Sequence, residues 1–182
     1  MDKKINSIIL TGFRATGKSL IGRMLATALG YAFVDTDTVI SDRQGASISA
    51  MVAQHGWPYF RQLERQMLEE CSQMRQAVIA TGGGAIEHTS EWIELRRHGY
   101  VIWLEAPAEV IYQRMHADNN TSSQRPALTD SSQLEEIGQM LARRTPMYAA
   151  GSDLRLETAT ANPEALVALI FQHLRQKQQV TA

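Results

Sequence analysis

Residues 12–19 read GFRATGKS, in which Gly12, Gly17, Lys18 and Ser19 fall at the spacing GxxxxGK[ST]. That spacing suits the binding of phosphate groups. Glycines let the backbone curl so that successive N–H groups point at phosphate oxygens, Lys18 adds a point charge, and Ser19 offers a hydroxyl ligand for Mg2+. Two carboxylates come next in FVDTDTVI, where Asp35 and Asp37 interrupt an apolar run. If the strand persists through both, period-two geometry sets them on one face. Like charges that close are tolerated at the open end of a strand, where water, a metal or a substrate hydroxyl can meet them. One of the pair can hold Mg2+, and the other can face an acceptor hydroxyl. A third stretch, AVIATGGG, supplies Gly82, Gly83 and Gly84, which let a ligand lie against bare backbone.

These groups need a scaffold that brings them together. SIILT, AFVD, AVIAT, YVIWLE and LRLET read as five short strands, separated mostly by stretches with apolar residues at spacing three and four. Strand and helix in alternation predict an α/β fold, a parallel sheet with helices on both faces. The ligand crevice of such a sheet lies beyond the carboxyl ends of its strands, so Asp35, Asp37 and the glycine triplet would face the phosphate cradle. The first helix carries Leu20, Ile21, Met24, Leu25, Ala28 and Leu29 as its expected buried side, with Gly30 as its stop. The last has Asn162 as N-cap and Pro163 at its first position, with Leu166, Leu169, Ile170 and Leu174 as the buried stripe. Residues 38–75 show helical patterns and no strand, the pattern of a helical flap. Residues 117–132, ADNNTSSQRPALTDSS, are polar and nearly free of large apolar side chains, as expected of a mobile lid.

A chain of 182 residues makes one domain with a full core, here taken as residues 1–182. With 44% apolar residues, 20% charged residues and a net charge of -1, it carries no electrostatic footprint for nucleic acid or an anionic membrane. Any anion must be held locally. The single cysteine, Cys71, excludes an internal disulfide and fits a reducing, cytoplasmic compartment. The apolar run in MDKKINSIILT is too short for a signal peptide, and no stretch reaches membrane-spanning length. His55, His88, His98, His116 and His173 show no metal-ligand spacing and read as surface or partly packed side chains.

GFRATGKS, FVDTD, FRQLE at 60–64, ATGGG, RPAL at 125–128 and RRTPMY at 143–148, in that order, resemble shikimate kinase from about Ile8 to the final helix. The resemblance implies a three-layer P-loop fold with a five-stranded parallel sheet in the order 2-3-1-4-5, a helical substrate-binding flap and a mobile lid. It implies transfer of the ATP γ-phosphoryl group to the 3-hydroxyl of shikimate by a monomer. By motif, Lys18 and Ser19 take phosphate and Mg2+, with Ala15, Thr16 and Leu20 in the same ATP-binding stretch. Asp35 matches the metal-site acid, and Asp37 the acid that binds the shikimate hydroxyls. Arg61, Gly83, Gly84 and Arg144 match the shikimate-binding set, with both arginines on its carboxylate. Arg125 matches the lid arginine, Arg114 falls near the adenine-stacking arginine, and Asn162 and Pro163 near the nucleotide-base loop.

Two departures bear on nucleotide affinity. The family often has glycine where Ala15 stands, which is tolerable if the backbone there keeps a negative φ, and a hydroxyl residue where Leu20 stands. Two other readings differ in what they require. A kinase for another hydroxy acid, such as gluconate, would keep the cradle but need not keep FRQLE or RRTPMY. A non-catalytic nucleotide- or shikimate-binding regulator would not need Lys18, Asp37 and Arg125 together.

Overall fold

The computed structural model describes residues 5–117 and 130–180, with side chains described for 5–117 and 133–177. The expected lid and its Arg125 therefore lie outside the described residues, save for the two ends of the lid segment. One end is the last residue of a helix at Ala108–Ala117, and the other opens a helix at Asp130–Gly151.

Strands β1 (Ser7–Thr11), β2 (Ala32–Asp35), β3 (Ala77–Ala80), β4 (Gly99–Glu105) and β5 (Leu154–Glu157) form one sheet in the order β2-β3-β1-β4-β5. Every pairing is parallel. The central strands β1 and β3 are buried throughout, as continuous apolar runs must be when helices cover both faces. Register decides which residues stand at the open edge. Leu10 and Asp35 both pair with Ala80, so β1, β2 and β3 end level, and the loops that leave them emerge on one rim.

Helices α1 (Lys18–Leu29) and α8 (Pro163–Val180) cover one face, packed on Ile8, Leu10, Val78, Ile102 and Leu104. The other face carries α2 (Thr36–Gln44), α3 (Ile48–His55), α4 (Trp57–Ser72), α5 (Thr89–His98) and part of α7 (Asp130–Gly151), around Ile9, Phe60, Ile79, Val101 and Tyr148. A third cluster joins Phe13 of the first loop to Ile111 and Met115 of α6 (Ala108–Ala117) and Ile137 of α7.

The helical stripes differ from expectation at their margins. In α1 the buried positions are Ile21, Gly22, Leu25 and Ala26, whereas Leu20 is 53% exposed and Ala28 is also exposed. The helix turns its small residues inward because Phe33 lies on it: a Cβ at Gly22 would come 2.5 Å from the Phe33 ring. In α8, Leu166, Ile170 and Leu174 are buried as expected, Val167 joins them, and Leu169 is 48% exposed. Asn162 Oδ1 accepts from Ala165 N at 2.7 Å, which makes it the cap that Pro163 requires.

The strand read as AFVD is observed, and it does not persist through Asp37. β2 ends at Asp35, and Asp37 lies in the first turn of α2. The reason is capping. Asp35 Oδ1 accepts from Thr38 N at 3.3 Å, and an aspartate in extended geometry that binds the third N–H beyond it starts a helix.

Cys71 is fully buried on α4, and burial, helped by the charge of Glu70, pushes its thiol up to about 12. At pH 8 a thiol reagent should label the native protein only as fast as the protein unfolds. Labelling within seconds, in the absence of denaturant, would contradict this packing.

Candidate active site

The loop between β1 and α1 is a backbone cradle shaped by glycine. Gly12 has φ 136°, and a Cβ there would lie 2.1 Å from the Leu104 carbonyl oxygen, so no other residue fits. Gly17 caps α1 without a side-chain hydrogen bond, which leaves the positive end of that helix to a ligand. Lys18 Nζ donates to the carbonyls of Gly12 at 2.9 Å and Phe13 at 2.7 Å, across the mouth of the loop. Buried Thr16 braces the turn by donating to Phe13 O at 2.7 Å. Ala15 does not keep a negative φ. It stands at φ 60°, a left-handed conformation that costs an alanine about 1 kcal/mol relative to glycine.

An open cleft of about 820 Å3 extends from the cradle. Ala15, Gly17, Lys18, Ser19 and Leu20 line one side, and Asp35, Asp37, Thr81 and Gly83 another. Ser19 Oγ donates to Asp35 Oδ2 at 2.5 Å. This is an all-oxygen pair beside the phosphate cradle, and it fits Mg2+, a hard cation that takes one or two protein oxygens and completes its shell with phosphate and water. Asp37 reaches the same cleft from α2. Its position is fixed from behind, because Gly82 N donates to Thr36 Oγ1 at 2.9 Å.

The glycine triplet makes room on two sides. None of the three has a positive φ, and of the three only Gly83 lines the cleft. The other two leave room for the protein's own side chains. A Cβ at Gly82 would be 2.5 Å from Asp37 Oδ1 and 2.9 Å from Glu64 Oε1, and one at Gly84 would be 2.1 Å from Arg61 Nη1. Tyr148, fully buried and stacked on Trp103, donates its hydroxyl to Gly83 O at 2.5 Å and so ties the triplet to α7.

Behind the triplet lies a charged network that sequence reading found only in part. Arg61 donates to Glu64 one helical turn on, as the FRQLE spacing predicts. Arg65 Nε donates to His88 Nδ1 at 3.3 Å, which puts the ring proton on Nε2, 3.2 Å from Glu64 Oε2. His88, expected at the surface or partly packed, is thus buried and part of this network. Arg144 is the largest fully buried side chain among the described residues, and its Nη2 donates to Glu87 Oε2 at 3.0 Å. Glu87 also accepts from Arg143 and lies 3.5 Å from Arg61 Nη2. Burial pushes the Glu87 carboxyl up, but the hydrogen bond from Arg144 and the charges of Arg144, Arg143 and Arg61 outweigh it and hold the group below its usual range. Glu87 comes after the triplet with no motif of its own, and only the pairing of charges in space reveals it.

At the other end, Arg114 lines the cleft and is anchored by hydrogen bonds to Ala15 O at 3.3 Å, Thr158 Oγ1 at 3.0 Å and Thr158 O at 2.5 Å. It therefore braces the cradle from outside. Asn162 and Pro163 do not line the cleft, and the Asn162 side-chain oxygen is engaged in capping.

A parallel sheet in this order, with a glycine-rich cradle after β1 and acids at the end of β2 and in the first turn of α2, defines a P-loop phosphotransferase. The sequence profile of shikimate kinase matches residues 14–175. The chain belongs to the shikimate kinase family, and like its relatives it is an ATP-using kinase that transfers phosphate to a hydroxyl of shikimate. It is 37% identical over 170 residues to the shikimate kinase of Geobacter metallireducens, covering 93% of this chain and 92% of that one. To the enzyme of Thermosynechococcus vestitus it is 38% identical over 169 residues, 92% and 89% of the two chains. The solved shikimate kinase of Acinetobacter baumannii in complex with shikimate superposes with a TM-score of 0.87 at 30% identity, over 96% of this chain and 95% of that one.

The contacts at Gly82 and Gly84 make two graded probes. Gly84→Ala meets only the tip of a flexible arginine, so the urea midpoint should hardly move while kcat/KM for shikimate falls at least about tenfold through displacement of Arg61. Gly82→Ala presses on two carboxylates and should lower both. If Gly84→Ala turns over shikimate normally, the observed place of Arg61 is not needed.

Proposed function

We propose that the chain transfers the γ-phosphoryl group of ATP to the 3-hydroxyl of shikimate, giving 3-phosphoshikimate and ADP, within one monomeric kinase domain spanning residues 1–182. The observation that carries this reading is that Lys18, the Ser19–Asp35 pair and Asp37 all line one cleft whose far wall is Gly83. A cradle for the donor and an acid for the acceptor stand within reach of each other.

Lys18 would exchange the carbonyls of Gly12 and Phe13 for phosphate oxygens, a move that its three donors and flexible stem allow. Mg2+ held by Ser19 and Asp35 would neutralise charge on the transferred phosphoryl group. Asp37 would accept a hydrogen bond from the attacking hydroxyl and take its proton as the new P–O bond forms. Phosphoryl transfer asks the protein for alignment and charge compensation more than for covalent chemistry, and these groups supply both. Arg61 and Arg144 would fork onto the shikimate carboxylate and, with Gly83 and Gly84 behind the ring, aim the 3-hydroxyl at the γ-phosphate. Arg125, by its place in the family motif, would add positive charge to the phosphates. Arg114 would stack on adenine from its anchorage at Ala15 and Thr158, with Asn162 and Pro163 beyond it.

No helix among the described residues is long and apolar enough to cross a membrane. A cytoplasmic site of action fits the ATP requirement and the unpaired Cys71.

The direct test is ADP release from Mg-ATP with shikimate, quinate, gluconate or a nucleoside monophosphate as acceptor. Turnover is expected with shikimate alone, and turnover on gluconate would overturn the assignment. Asp37→Asn and Asp35→Asn then divide the acids. The first should lower kcat far more than it weakens ATP binding, and the second should raise the Mg2+ concentration needed for half-maximal rate. Identical metal responses would refute the division.

A further inference from the structure

Neither Arg61 nor Arg144 lines the open cleft, and both meet a third side chain. Glu87, the last residue of the short 3-10 turn Ala85–Glu87 after the glycine triplet, puts one oxygen between them. Its Oε2 accepts from Arg144 Nη2 at 3.0 Å and lies 3.5 Å from Arg61 Nη2. Its Oε1 accepts from Arg143. The two arginines assigned to the carboxylate of the acceptor thus already share a carboxylate, one supplied by the protein.

We propose that Glu87 is a specificity-determining stand-in for the acceptor's carboxylate, holding the arginine pair when no acid is bound and yielding it to the acid on entry. The inference rests on the reading of Arg61 and Arg144 as a carboxylate clamp. Three observations carry it. The chemistry matches, since a carboxylate oxygen between two guanidinium groups is what the acid would present. The need is real, because the Arg144 side chain is only 2% exposed, and a buried guanidinium without a counter-charge is strongly disfavoured. An exit exists as well. Arg143, whose side chain is 62% exposed, already holds the other oxygen of Glu87, so rotation toward solvent keeps one ion pair while releasing the other two.

A resident competitor changes what the site accepts. The apparent affinity of any ligand for the arginines is reduced by the fraction of time that Glu87 leaves them free. A neutral polyol gains nothing by displacing Glu87 and must bind without the clamp. Only a ligand with a carboxylate of its own, placed so that its ring hydroxyls also reach Asp37, recovers the cost. Discrimination therefore comes from an internal rival as well as from the attractive contacts.

A stand-in and a mere support for the arginines differ in sign. Glu87→Gln keeps the shape and removes the charge. Binding of shikimate and of its uncharged methyl ester, measured calorimetrically without nucleotide, should diverge. The variant should bind shikimate at least about threefold tighter than wild type, with the gain appearing in KM rather than kcat, and the ester equally well. Acetate should also inhibit the variant more strongly, in competition with shikimate. Glu87→Thr, which shortens the side chain, should give the same order if the glutamine variant folds poorly. Weaker or unchanged shikimate binding in both variants, with wild type still preferring acid to ester, would overturn the stand-in and leave the clamp. Equal binding of acid and ester by wild type would overturn the clamp itself.

Discussion

The carboxylate of Asp35 joins the two halves of the site. One oxygen accepts the Ser19 hydroxyl at the start of α1, and the other caps α2 at Thr38. Through the first contact β2 is fixed to the phosphate cradle, and through the second the chain is turned out of the sheet into the helical flap. The next residue, Thr36, fastens the same corner to the glycine triplet through Gly82 N. Asp37, one residue further on, is held between these two ties and faces the cleft. Three consecutive side chains thus position the donor site, the acceptor site and the acid between them. The arrangement is possible only because β1, β2 and β3 end level, which their register with Ala80 provides.

The strands, the phosphate cradle and the cap of α8 were legible because each depends on residues close in sequence. Gly12 and Gly17 fix a loop, Asn162 and Pro163 start a helix, and apolar runs bounded by polar residues make buried strands. The ordering of the strands came from the resemblance, not from periodicity. Where reading by period failed, a local hydrogen bond or a remote side chain had decided otherwise. FVDTD alternates like a strand through Asp37, but the capping geometry of Asp35 ends the strand two residues sooner. Leu20 and Ala28 fit the apolar pattern of α1, yet Phe33, from the next strand, lies against Gly22, and Gly22 and Ala26 are buried in their place.

The candidate site was legible in its named motifs and opaque in what supports them. Arg61 and Glu64 are one helical turn apart and could be paired on spacing alone. His88 and Glu87 could not. They stand next to each other after the triplet, and the former serves Glu64 while the latter serves Arg144, partners 24 and 57 positions away in the chain. The glycines themselves were read as a floor for the ligand, and sequence alone does not show that side chains of the protein use part of the same space. At Gly82 and Gly84 the users are Asp37, Glu64 and Arg61. Ala15 shows the reverse case: its positive φ violates the condition under which alanine is harmless there, and its carbonyl accepts a hydrogen bond from Arg114.

A site that must bind a carboxylate inside a folded domain faces a conflict of charge. Arginines strong enough to grip the acid are costly to bury alone, and screening by water is weak where Arg144 lies. The chain resolves the conflict by giving the arginines resident carboxylates of unequal permanence. Glu64 is itself buried, and it is held by Arg61 and by a histidine whose tautomer Arg65 sets, so it is fixed. Glu87 sits at the end of a single 3-10 turn, partly exposed, with a solvent-facing arginine as alternative partner. Glu64 therefore orients Arg61, while on the proposed reading Glu87 compensates Arg144 only until a better-placed carboxylate arrives. On that reading, the charge balance that compensates buried Arg144 in the empty site is also what sets the entrance requirement for the acceptor.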